Sequence, residues 1–260
     1  MNYLRLFNDL HNELIMRSKL LTEDSVRYYL YSCMLRQDPE LNHYIFELPY
    51  QELTVPSKYK IYLANPALFK RAKGKLQQEL DLYYDDSISD SCCVELKFHR
   101  NTPDSSYART TAAGELFNDL QRLQQLSPTT SSNSNFRKLF VYVTDDIMGR
   151  YLSGNTIAGT NGGITNPVAN TQLSTFFKPT SFSFPFQLVY KQGDLDSFFK
   201  AAFKSFNNTF NNKSNISINL SLLYYDDFYS PFFHAYYHIR VYEVMPNNPP
   251  SMQSSSCILR

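Results

Sequence analysis

The sequence predicts a mixed α/β domain, and three segments carry the prediction. Residues 22–37, TEDSVRYYLYSCMLRQ, have helical periodicity with a start signal. Residues 78–100 have the form of a hairpin, two runs of strand formers around the turn-rich DDSISD. Residues 138–144, KLFVYVT, are a continuous apolar run of strand length, the pattern of a strand covered on both faces by helices. With 260 residues and 25 Lys+Arg against 24 Asp+Glu, the chain can bury a real core and has no global charge that points to a polyanion.

Each element follows from its residues. In 22–37, Thr22 is an N-cap, Glu23 and Asp24 suit the first turn, and Val26, Leu30, Cys33 and Met34 share one face. Asp38-Pro39 closes that helix. HYIFELPY (43–50), ended by Pro49, reads as a strand, and 66–78 reads as a helix. In the hairpin, alternation sets Leu80, Leu82 and Tyr84 on one face against Glu79, Asp81 and Tyr83 on the other. Its second arm sets Cys92, Val94, Leu96 and Phe98 against Cys93, Glu95, Lys97 and His99. Residues 111–126 form a helix with Ala113, Leu116, Phe117, Leu120 and Leu123 inward and Glu115, Asp119 and Arg122 outward.

The second half is less regular. Five of the eight glycines lie between 149 and 163, so 149–180 reads as a Gly/Asn-rich loop of functional or lid type. Strands follow at 183–190, interrupted by Pro185, at 216–225 and at 235–244, with a helix at 194–206. These give a core at 1–148, the loop, a segment 181–245 completing the same domain, and a flexible tail at 246–260.

Several classes fall away. No stretch approaches the eighteen or so consecutive apolar residues of a membrane span, and the N-terminal stretch has no signal-peptide core, so the expected compartment is the cytosol. Cys33, Cys92, Cys93 and Cys257 have no metal-ligand spacing and read as reduced thiols. His234 and His238 read as two same-face residues of a strand, which without a third ligand make no zinc site. Lys58, Lys60, Lys70, Arg71, Lys73 and Lys75 follow one another with no acid between Glu52 and Glu79, after which the sign flips. Lys70, Arg71, Lys73 and Lys75 suit phosphate contacts, with an ordinary solvated face as the plainer reading. Aromatic content of 15% suggests a core or groove lined with rings.

The chemistry concentrates at Asp81 and at Glu95-x-Lys97 on the neighbouring strand. Period-2 geometry sets Glu95 and Lys97 on one face about 7 Å apart. Antiparallel pairing can bring Asp81 beside them. Two carboxylates and the backbone carbonyl of Leu96 would offer hard oxygen ligands to Mg²⁺, and Lys97 could orient or deprotonate a water.

Asp81, the turn, and VELK ending an apolar strand between flanking helices resemble the PD-(D/E)XK nuclease superfamily over residues 20–145. The resemblance implies a restriction-endonuclease-like αβββαβ core, a mixed sheet flanked by helices, here with an elaborated C-terminal half. It implies Mg²⁺-dependent hydrolysis of nucleic-acid phosphodiesters, foremost DNA, with Mn²⁺ as a possible substitute. Asp81 and Glu95 would hold the metal, Lys97 would assist the nucleophile, and Glu23 would supply the acid that the first helix often adds. Leu80 stands where the family name has Pro. Nothing past Gly149 matches a family pattern. A homodimer would suit cutting of two strands.

Plainer readings stand beside these. Glu95 and Lys97 could form a solvated ion pair, and Glu23 could serve only the helix dipole. Glu47 could be an inward carboxylate from the adjoining strand, His99 a phosphate contact or a solvated strand end, and Glu115 and Asp119 could face the site. The alternative function is a non-catalytic nucleic-acid- or protein-binding accessory protein on the same scaffold.

Overall fold

In the computed structural model of the chain, the described residues are 1–49, 61–63, 79–86, 88, 90–100, eleven positions within 112–128, 136–153, 174–188 and 216–245. The expected helices 66–78 and 194–206, the basic run from Lys58 to Lys75 and the tail from Pro246 lie outside them.

The chain opens with α1 (Tyr3–Met16), which the sequence reading passed over. Its Asn2 side chain accepts the Arg5 N–H, and Leu6, Phe7, Leu10 and Leu14 form the buried stripe at helical spacing. Helix α2 (Glu23–Leu35) starts at Thr22 as expected. The Thr22 hydroxyl accepts the Ser25 N–H at 3.1 Å and the Ser25 hydroxyl accepts the Thr22 N–H at 2.8 Å, a reciprocal cap that fixes the first turn. Thr22→Ala should therefore cost about 1 kcal/mol, read as a lower urea midpoint. An unchanged midpoint would show that the cap is redundant.

Strands β1 (Tyr44–Pro49), β3 (Glu79–Asp85) and β4 (Ser91–His99) form an antiparallel meander, and β2 (Ile61–Leu63) pairs with β5 (Leu126–Pro128) in a separate two-stranded ribbon. Ala112, Ala113, Leu116, Phe117, Asp119, Leu120, Leu123 and Gln124 are helical, and this helix is α3. It carries the chain from β4 to β6 (Phe136–Asp145), which lies parallel to β4. Helix α4 (Asp146–Leu152) follows at once, then β7 (Ser183–Leu188), β8 (Ile216–Ser230) and β9 (Ala235–Met245). The main sheet has seven strands in the order β1-β3-β4-β6-β9-β8-β7, and only the β4–β6 neighbours are parallel. Pro185 is tolerated because β7 ends the sheet order.

The sheet separates two cores. Leu82, Val94, Leu96, Val141 and Ile239 pack under α1 and α2, whereas Phe140, Tyr142 and Tyr242 pack under α3, α4 and the helical residues 174–177. Strand β6 contributes to both, as its unbroken apolar run requires. Strand β8 changes sides: at a bulge between Leu222 and Tyr224 the register with β9 slips, so Leu220 and Leu222 face one core and Tyr224 and Phe228 the other.

Two expectations are corrected. The segment from Gly149 begins as helix, since Gly149 to Leu152 complete α4. Gly149 is needed there because α4 lies flat on His238: a Cβ at Gly149 would meet the His238 ring at 2.5 Å. His234 is not in a strand with His238 but in the β8–β9 turn, at a φ of 50°. No helix among the described residues is long and apolar enough to cross a membrane.

Candidate active site

The site forms where β3 and β4 part. Their ladder runs from Asp85↔Ser91 to Leu82↔Val94, while β3 stays paired to β1 as far as Glu79. Past Val94, β4 keeps β6 on one side and offers its other edge to side chains. The first edge amide, Leu96 N–H, donates to Asp81 Oδ2 at 2.6 Å, and the next, Phe98 N–H, donates to Glu23 Oε2 at 3.2 Å. Two carboxylates thus replace the missing strand. The Leu96 carbonyl shares the edge of its own N–H, so it points to the same opening.

Helix α2 supplies both Glu23 and, one turn on, Arg27. Arg27 Nη2 lies 2.6 Å from Asp81 Oδ1, and Nη1 lies 3.3 Å from Asp24. Lys97 joins the two layers: its ammonium is 3.8 Å from Glu23 Oε2 on α2 and 3.7 Å from Asp119 Oδ2 on α3. Asp81, Glu23, Lys97 and Asp119 therefore meet at one edge, with Arg27 as a second cation. Burial pushes the Asp81 carboxyl up to about 6, and the neighbouring Glu23 and Asp119 carboxylates add to the rise. The Leu96 N–H and the Arg27 guanidinium oppose it without cancelling it.

Glu95 is 5% exposed and sits one residue before the Asp81-bound amide. His99 is buried, with Nδ1 3.2 Å from the Tyr142 hydroxyl and the two rings edge to face. Glu47 lies in β1. Lys70, Arg71, Lys73 and Lys75 lie outside the described residues, as does Glu115.

Asp119, for which an outward stripe was the default expectation and a place facing the site the alternative, takes the alternative: it is 3% exposed and reaches Lys97. Its position gave a signal: 119 is three past Leu116 and four before Leu123, on the apolar stripe itself. Arg27 was not singled out. It stands four residues after Glu23 and so extends from the same helix face.

As it stands the arrangement does not fit a resident Mg²⁺. Among the described residues no three His, Cys, Asp or Glu side chains are grouped so that they could hold one ion, and both Asp81 oxygens are engaged, by Arg27 and by Leu96 N–H. Three described cysteines, Cys33, Cys92 and Cys93, are buried free thiols, and burial raises all three.

Compared with known proteins, the chain matches no family model, no curated protein and no solved structure.

Proposed function

We propose that the chain is a nuclease of PD-(D/E)XK type that hydrolyses nucleic-acid phosphodiesters, foremost DNA, at the parted edge of β3 and β4. The observation that carries this reading is the meeting of Asp81, Glu23 and Lys97 at that edge. The element order of the main sheet supports it: with the β2–β5 ribbon set aside, α2, β1, β3, β4, α3 and β6 run helix, three strands, helix, strand, with the last strand parallel to β4. The Lys97 ammonium and the Arg27 guanidinium are the groups at this edge suited to stabilise negative charge that builds on phosphate oxygens. Mg²⁺, the ion suggested by the sequence, would have to displace Arg27 from Asp81 to bind between the carboxylates.

The Arg27–Asp81 ion pair favours a second reading, an accessory protein that binds nucleic acid or protein without cutting, because the cation position beside Asp81 is already filled from within the chain. One experiment separates the two. Purified protein is incubated with plasmid and with single-stranded DNA in Mg²⁺, in Mn²⁺ and in EDTA, alongside Asp81→Ala. The nuclease reading expects cleavage that needs the divalent ion and disappears in the variant. Binding of DNA with no cleavage in either metal would establish the accessory reading instead.

A further inference from the structure

The sheet register places a second feature on the face that carries Lys97. Lys97 pairs with Tyr142, Tyr142 with Arg240, and Arg240 with Tyr225. The four residues form one row on one face, and three strand spacings put Tyr225 roughly 14 Å from Lys97. At the far end of the row lies a cleft of about 310 Å³ lined by Phe177, Lys178, Phe182, Tyr225 and Arg240, among others.

This cleft combines rings with fixed cations. Phe182 is 68% exposed and Tyr225 is 60% exposed, so two aromatic faces stand in solvent at one opening. Exposing such rings is unfavourable unless something covers them. Arg240 forms the floor and is nearly immobile. Its Nη1 donates to the Asp226 carbonyl, the Ile239 carbonyl and Asp227 Oδ1, each at 2.9 Å, and its guanidinium lies 4.8 Å from the Phe177 ring centre. Nη2 makes no hydrogen bond among the described residues. Asp227, held down at about 2, offsets the Arg240 charge, and Lys178, exposed at the rim, is the second cation of the cleft.

We propose that this cleft binds one nucleotide of a single-stranded nucleic acid, its base stacked on Tyr225 and Phe182 and its phosphate at Arg240 Nη2 and Lys178. Base stacking on exposed rings with a basic residue at the phosphate is the recurrent chemistry of single-strand sites, and the volume suits one nucleotide. The proposal rests on the nucleic-acid reading of the chain and adds to it a single-strand site separate from the Lys97 edge, divided from it by the buried Tyr142.

The test measures binding of a fluorescent ten-residue oligothymidylate to the full chain carrying Lys97→Ala, so that bound strand is not cut. Tyr225→Ala and Phe182→Ala, both at exposed positions, should each weaken binding about tenfold with unchanged melting temperature. Lys178→Ala should weaken it less and reduce the salt slope by about one. Thymidine monophosphate should bind at least tenfold more weakly than the oligonucleotide, and equal affinity would overturn the assignment to a strand. Binding that ignores both ring variants, or no binding at all, overturns the cleft. If wild-type protein cuts nothing yet binds through Tyr225 and Phe182, the nuclease reading fails and the cleft stands. If it cuts and the ring variants bind normally, the reverse holds.

Discussion

Lys97→Ala is expected to lower phosphodiester cleavage by about 10²- to 10⁴-fold, the range for loss of a positioned proton-transfer group. The geometry sets what else the change does. The ammonium lies between Glu23 and Asp119 and tethers helices on opposite faces of the sheet. Its loss also leaves Glu23, Asp81 and Asp119 with one fewer counter-cation. A purely structural Lys97 would therefore also matter, through stability. Lys97→Arg separates the roles: it keeps the charge between the carboxylates but presents a rigid planar fork in place of a compact ammonium. Folding stability should return to near wild type with Arg, while cleavage stays at least a hundredfold down. Recovery of cleavage with Arg would reduce Lys97 to a counter-ion and remove it from the chemistry.

Asp81→Asn should make the protein more stable at pH 7.5 while abolishing cleavage. The sign follows from the raised carboxyl. An acid at about 6 in the folded chain, against 3.8 ordinarily, favours folding fully at pH below 3.8 and loses that contribution as pH rises through 6. At pH 7.5 the ionised carboxylate then costs up to about 3 kcal/mol, and the side chain is only 13% exposed, so solvent screens little of it. An amide removes that charge but keeps one acceptor oxygen for two donors, Leu96 N–H and Arg27. The expected net gain is about 1–2 kcal/mol at pH 7.5, shrinking to nothing near pH 4, measured by urea unfolding across the range. Lower stability of the variant at pH 7.5 would show that the Arg27 ion pair outweighs burial.

The elements that the sequence revealed are those whose residues repeat a local rule. Thr22 at a helix start, alternation through Cys92 to His99 and the unbroken run at Lys138 to Thr144 each encode one element, and each element lies where expected. Period-2 geometry sets Lys97 on the face of Glu95, but it does not sort β3, where Leu80 packs with Tyr83 in one core and Leu82 with Tyr84 in the other. What links Asp81 to Lys97 was not legible. The parting of β3 from β4 at Leu82↔Val94 is a tertiary event, and only it turns Leu96 and Phe98 amides toward Asp81 and Glu23. Arg27 was invisible for the same reason: a surface arginine on a helix becomes a site residue only when a strand edge is laid against it. Helix α4 was hidden because Gly149 marks close approach to His238, whereas glycine-rich sequence ordinarily signals a loop.

The slip in β8 makes one strand into two half-strands in antiphase. Leu223 and Tyr224 both lean on the α1–α2 core, so a single extra residue decides which side chains beyond it are inside and which meet solvent. Were Leu223 paired in the ladder instead of bulged out, Tyr225 would lie beneath α1 and Phe228 would stand in water, whereas deleting Leu223 would leave both as they are, because Leu222 and Tyr224 already oppose the successive residues Tyr242 and Val241. The surface that faces outward at Tyr225 is thus set by which residue leaves the ladder rather than by the residue types beyond it.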